Sequence, residues 1–570
     1  MSRKSINLQL EFPIKGWDSN WAQRAQPDRS TFYITNMRAY DSKEKARGGQ
    51  RPGLTKYSDQ DFGGRIQCLS HTIASATYSG ATALALRTLY RLAICDGDLY
   101  AYTTTSKTKS TEVDAGGTLA DPPLSATAPF IPSARYFDYI FAVDGATAVA
   151  WDAVENKHYD WEYLVNNTGS EATHGWGGAG TFPINGSDLP RLLVQWRGRM
   201  VLSGVASDPH NWFMSAKDDP LDFDYSVTPQ TETMAAAGNN AEAGKIGQPI
   251  MTMIPYNDDI LIFGCDHSIW QMTGDPQAGG RLDLISDTIG MSWGRPWCKT
   301  PDGEIYFFGN EGGLYTLRPG NPPKKVSAIR MDDQLMSLDM SDVLIRLEWD
   351  QNELGVYIFV TSLSGEETFE WFYDARNDAF FRDQLYLTYK PTATHTLDGD
   401  AAADRVLLLG GQDGYIRYFD NTVANDDGNA IYSEVFLGPL MVEKETLPFI
   451  IQELQSVLGR TSDNIKYRIY AGNCSETSSD IAGHLRLADG AGDLIYYDDD
   501  NIQLVSDSHG SSIVVNEGTL TATRSYAKNC RVRGYSAYIK LYNDVAGETW
   551  QFENIRVKLA AINSSKGRSN

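Results

Sequence analysis

The chain has 570 residues, more than one ordinary core organises, so two or more domains are expected. Its 42% apolar and 22% charged content excludes a disordered chain, and no window approaches the ~18 uncharged apolar residues of a helical membrane span. A formal charge of −23 repels phosphate and excludes an ordinary DNA-binding module, though not a wall past which DNA slides without sticking.

The first ten residues have a basic start with no apolar block behind it, and polar and apolar residues alternate from Ser5 to Leu10. A strand is expected there, and no signal peptide. From about residue 92 a hairpin recurs: an apolar strand, a Gly- or Asp-containing turn, and a return strand carrying an aromatic. Its instances begin at Leu92, Tyr139, Arg199, Ile260, Glu304, Gly355 and Arg405. Asp-Gly and Gly-Gly turns favour hairpins because they need positive φ. The strands before the turns are apolar throughout, as strands covered on both faces must be. Counted from residues 93, 140, 200, 260, 305, 356 and 406 in their first strands, successive hairpins lie 45 to 60 residues apart. A period of roughly 40–50 residues holding four strands predicts β-propeller blades. Six or seven blades fit, with the terminal blade open to completion by a strand from the other end of the chain.

The propeller is expected over 61–430, with insertions near 152–190 and 217–248. Asn166 to Asp188 is rich in Asn, Gly, Ser and Thr, and Lys217 to Gln248 contains the small-residue run around Asn239. Loops of this length are commonly functional. A helical turn is predicted over 332–342. Past residue 430 the period ends, and 431–570 reads as a separate all-β, sandwich-like platform domain with residues 1–60 packed on it.

Chemical motifs are sparse. The six cysteines form no CxxC pair and read as free thiols in a reducing compartment. The eight histidines show no HxH, HxxxH or HExxH spacing, and the Asp498 and Asp398 clusters lack a calcium-loop pattern. Neither a GxSxG elbow, a P-loop, a sialidase-type Asp turn nor a WD40 signature occurs in the blades. No enzyme activity, metal or cofactor is expected. One basic cluster, Lys43, Lys45, Arg47 and Arg51, reads equally as a docking patch for an acidic partner or a solvated turn.

Several weak motifs in a consistent order resemble one family. Asn36-Met37-Arg38 with Arg51-Pro52-Gly53 opens it; Arg199 to Gly204, then Pro209, Phe213, Ser215 and Asp219 to Phe223, is its middle; Ile260 to Gly264 and Ile269 to Asp275 follow; Arg531 to Gly534 and Trp550 to Glu553 close it. The order resembles the β-propeller tail nozzle (tail tubular B) and tail stabilisation proteins of short-tailed bacteriophages, over residues 30 to 560. The resemblance implies a structural virion protein, assembled in the host cytoplasm as a homo-hexameric ring under the tail adaptor ring. It would meet tail fibres or tailspikes and gate a channel through which genomic DNA leaves without specific binding or membrane insertion. Asn166, His174, Trp176, Met234, Asn239 and Asn240 are then the candidate gate or contact residues. The competing readings are a carbohydrate-binding or depolymerising propeller on a phage tail, and a cytoplasmic scaffold.

Overall fold

The computed structural model describes residues 5–21, 25–40, 48–75, 87–113, 119–166, 176, 179–180, 182–183, 188–226, 231–241, 243–398, 405–442, 447–459, 462–472, 487–488, 494–495, 514–520, 524–534 and 536–561. The chain is almost entirely β, and it builds a seven-bladed propeller joined to a β-sandwich.

Each recurring hairpin supplies the two middle strands of one blade. In blade 1 these are Arg87–Cys95 and Asp98–Tyr102, in blade 4 Ile260–Cys265 and Ile269–Thr273, and in blade 5 Ile305–Phe308 and Leu314–Leu317. The first strand of each blade lines the axis. Neighbouring first strands adjoin in sequence from Trp297–Lys299 of blade 5 through blades 6, 7, 1, 2 and 3 to Ile250–Pro255 of blade 4. The unbroken apolar runs follow from this geometry, because consecutive side chains point to opposite faces and a neighbouring blade covers each face. In blade 4, Leu261 and Phe263 join the core shared with blade 3, while Ile262 joins the core shared with blade 5. In blade 5, Ile305 and Phe307 face blade 4, and Tyr306 and Phe308 join the core of blade 6.

Blade 7 holds Pro391–Leu397, Val406–Gly411 and Ile416–Asp420 from the end of the repeat, and Gly53–Lys56 as its outermost strand. Arg417 pairs with Lys56 and Asp420 with Gly53, so the N-terminal segment closes the ring.

The sandwich packs Ser5–Glu11, Phe552–Ala561, Phe449–Leu458 and Arg524–Gly534 against Ser433–Met441, Ser536–Asn543, Ile465–Gly472 and Val514–Leu520. The second of these layers is continuous with blade 6. Ile34–Thr35 pairs in parallel with the last strand of blade 6, Ala379–Asp383, and antiparallel with Ser433–Met441, making one nine-stranded sheet. The sandwich expected as a separate unit therefore shares a sheet and one hydrophobic core with the propeller. A short helix, Asp332–Met336, occupies the predicted helical turn.

Candidate functional site

The junction between propeller and sandwich is built from the segment that opens the family resemblance. Asn36 follows Ile34–Thr35 and has φ 54°, a left-handed conformation that Asn tolerates better than most residues. The bend lets its side chain tie three elements together. Its Oδ1 accepts from Arg51 Nε at 2.9 Å and from the Gln384 amide at 2.9 Å, and its Nδ2 donates to the Tyr432 carbonyl at 2.8 Å. These partners belong to the closing segment, the exit of blade 6 and the entry to the sandwich.

Three buried ion pairs flank that node. Arg38 donates in a two-pronged contact to Asp383 at 2.8 and 2.6 Å, with both side chains 2% exposed and the guanidinium 4.2 Å above the Phe372 ring. Arg51 donates in the same manner to Asp426 at 2.9 and 2.6 Å, with 0% and 1% exposure. Lys390 meets Glu370 at 2.8 Å, both 1% exposed. Burial disfavours the charge on Arg38 and Arg51, but the adjacent carboxylates outweigh it and hold both guanidiniums above their usual range. Burial pushes the Glu370 carboxyl up, opposed by Lys390. Paired forks of this kind fix angles as well as distances. Removing one partner from such a pair costs about 3–5 kcal/mol, because the other charge stays buried.

Arg51 is therefore no docking cation; the sequence offered it as one, and the fold consumes it inside. Lys43, Lys45 and Arg47 lie outside the described residues. Among the candidate gate residues, His174 lies outside them too, and for Asn166 only its place at the end of the helix Trp161–Asn166 is described. Trp176 is 9% exposed and packs against Tyr139 at 5.4 Å and Tyr136 at 5.9 Å, so its indole belongs to the core of blade 2 instead of presenting a contact surface. Met234 gives its carbonyl to the buried Arg199 guanidinium. Ala236–Ala237 forms the last strand of blade 3, and Asn240 Oδ1 accepts from the Ala237 amide at 2.8 Å, so 234–240 is a blade edge with a capped turn. Asn239 is exposed.

Beside the junction lies a cleft of about 500 Å³, walled by Leu385, Ile431 and the half-exposed Tyr386, Leu387 and Tyr432, with Glu367 and Gln384 at its rim. Tyr432 donates to Glu434 at 3.0 Å, and its own burial, with the Glu434 charge adding to it, pushes its hydroxyl up. Sequence reasoning did not find this cleft, since its walls come from the blade 6–7 connection and the start of the sandwich. Among the described residues no group of three or more His, Cys, Asp or Glu is placed to hold a metal ion.

No family model and no curated protein matches the chain. Among solved structures, it is similar to an extracellular domain assigned to a hybrid two component system of B. thetaiotaomicron, at 9% identity and TM-score 0.40. That match covers 85% of this chain and 54% of the other, so the chain spans about half the length of that domain. A quinonprotein alcohol dehydrogenase-like protein from Bacteroides thetaiotaomicron matches at 9% identity and TM-score 0.33 over 58% of this chain and 77% of its own. YCF48 from Cyanidioschyzon merolae matches at 9% identity and TM-score 0.33 over 65% and 99%. These likenesses are loose; the propeller is read from the order and pairing of the chain's own seven sheets.

Proposed function

We propose that the chain is a structural subunit of a short-tailed phage tail nozzle, in which six copies form a ring beneath an adaptor ring and bound the channel for DNA ejection. The observation that carries this reading is the locked junction. A continuous nine-stranded sheet and two bidentate buried ion pairs make propeller and sandwich one stiff wedge, as a subunit must be if a platform is to hold a wall in register.

The channel, in this reading, runs between subunits. The propeller axis encloses a cavity of only about 210 Å³, and a duplex whose major groove alone is about 12 Å wide has no passage there. A net charge of −23 suits a wall that DNA must leave without adhering. The apolar cleft at Tyr386, Leu387 and Tyr432 is the described surface best suited to a neighbouring subunit, because its aromatic walls are large and rigid. Native mass spectrometry with negative-stain microscopy, on the protein alone and with a portal–adaptor complex, tests the proposal. Six-fold rings in either sample support it; a monomer in both overturns it.

The second reading, a carbohydrate-binding propeller on a phage tail, draws on the same cleft. Two tyrosines beside the Glu367 carboxylate form the sort of aromatic platform a sugar stacks on. Glycan-array binding lost in Tyr386→Ala would favour it.

A further inference from the structure

Two guanidiniums, those of Arg295 and Arg346, line the propeller axis of an acidic protein. Its cavity of about 210 Å³ has walls from the innermost strand of every blade, mixing apolar side chains such as Val194, Met253 and Trp297 with Arg295, Arg346 and Thr394. Arg346 is 2% exposed. One of its terminal nitrogens donates to the Thr392 carbonyl at 3.0 Å, its guanidinium lies 4.1 Å from the Phe130 ring centre, and its buried Nε has no hydrogen-bond partner. The Glu348 carboxylate lies near enough to act on Arg346 through its charge. It is committed elsewhere, accepting from Thr394 Oγ1 at 2.8 Å and pairing with Arg295 at 3.4 Å on the same oxygen. Arg295 is thus ion-paired through Glu348, while the buried Arg346 beside it has no ion-pair partner among the described residues.

The surroundings add to this excess. The charges that act on the neighbouring Cys68 thiol are those of Arg346 and Arg295, and those that act on His395 come from His71, Arg295 and Arg135, while Asp398 acts in the opposite sense on His71. Burial and Arg295 together pull the Arg346 guanidinium down to about 10, the signature of a cation held without its counter-charge. A buried charge of this kind is costly unless something neutralises it.

We propose that the axial cavity is a binding site for a small oxyanion, a carboxylate or phosphate group with at most a short apolar body, held by Arg346 and Arg295. The guanidinium fork matches two oxygens of such a group, and the apolar wall takes the rest. The site is independent of ring assembly, since it lies within one propeller.

Isothermal titration of the full chain with sodium phosphate and with sodium acetate, against sodium chloride at matched ionic strength, tests this. One or both oxyanions should bind with one-to-one stoichiometry and raise the melting temperature above the chloride control; which of them does so separates phosphate from carboxylate ligands. Arg346→Gln should weaken binding at least tenfold, and Arg295→Gln, at a position 37% exposed and therefore tolerant of change, should weaken it by a similar factor. Exposed Lys324→Gln should leave binding unchanged. If neither oxyanion binds better than chloride, or if Arg295→Gln and Arg346→Gln both bind as the unaltered chain does, the proposal fails. Should Arg346→Gln not fold, Arg295→Gln decides.

Discussion

Asp426→Asn is the substitution that most directly probes the junction. The carboxylate receives both prongs of Arg51, and its Oδ1 also accepts the Leu54 amide at 3.2 Å, so it holds the closing strand Gly53–Lys56 in place. Both partners are at most 1% exposed, so water cannot take over once the charge is gone. The amide keeps the shape, turns an NH₂ toward a guanidinium, and leaves Arg51 buried and unpaired. The expected loss is about 3–5 kcal/mol. At about 1.36 kcal/mol per tenfold, this is roughly two to three and a half orders of magnitude in the opening equilibrium. Hydrogen exchange of peptides covering 53–56 and 416–420 reads that equilibrium locally and does not require the whole chain to unfold in one step. Lys56→Gln is the control: its contact with Asp427 spans 3.6 Å at 30% and 21% exposure, and its removal should cost less than about 1 kcal/mol. Protection in Asp426→Asn within threefold of the unaltered chain would refute the claim that this pair holds the ring shut.

Other outcomes follow from the same reasoning. Trp176→Ala should destabilise the protein by about 3–5 kcal/mol, seen as a lower melting temperature, because the indole is buried against blade 2. His71 Nδ1 and His395 Nε2 share a hydrogen bond at 2.5 Å, and burial lowers both rings, with nearby arginines adding to it. The unfolded chain therefore binds more protons than the folded one below the ordinary His value of about 6.5. Stability contributed by the neutral pair is full above that pH and lost as pH falls; thermal melts from pH 7.5 to 5 should show a decline that His395→Gln flattens. Cys95 and Cys265 are buried, and burial pushes each thiol up to about 12. Their alkylation at pH 8 should be slower than that of a free thiol by roughly three orders of magnitude, and should recover in urea. A chain ending at residue 430 loses Ser433–Met441 from the shared sheet, so it should aggregate instead of yielding a soluble propeller, as light scattering would record.

The seven middle hairpins were legible because both of their signals are local. Apolar runs such as Ile260–Cys265 report two covered faces, and turns such as Asp96-Gly97, with φ of 47° and 86°, report tight reversals. The outer strand of blade 5, Lys324–Lys325, is two residues long and polar, and carries no such signal. The junction was half legible. Asn36, Arg38 and Arg51 stood out as motifs, but Arg51 meets a carboxylate 375 residues away, and nothing beside it in sequence shows that the charge is to be buried. A basic run near the surface and a buried fork look alike until the partner is placed. The cleft and the axial site share this limit, since each takes its walls from segments far apart in the chain.

The closure of blade 7 also bears on how the molecule is made. Gly53–Lys56 leaves the ribosome early, yet its partner strand Ile416–Asp420 is synthesised more than 350 residues later. At about 5–20 residues per second, that wait lasts roughly 20–70 s. During it the growing stack of blades has no seal, and Ile34–Thr35 and Ser5–Glu11 wait longer still for Ser433–Met441 and Phe552–Ala561. Ser5–Glu11 and Ile34–Thr35 are thus placed long after they are made, and the nascent protein carries open sheet edges until Ser433–Met441 and Phe552–Ala561 have been synthesised.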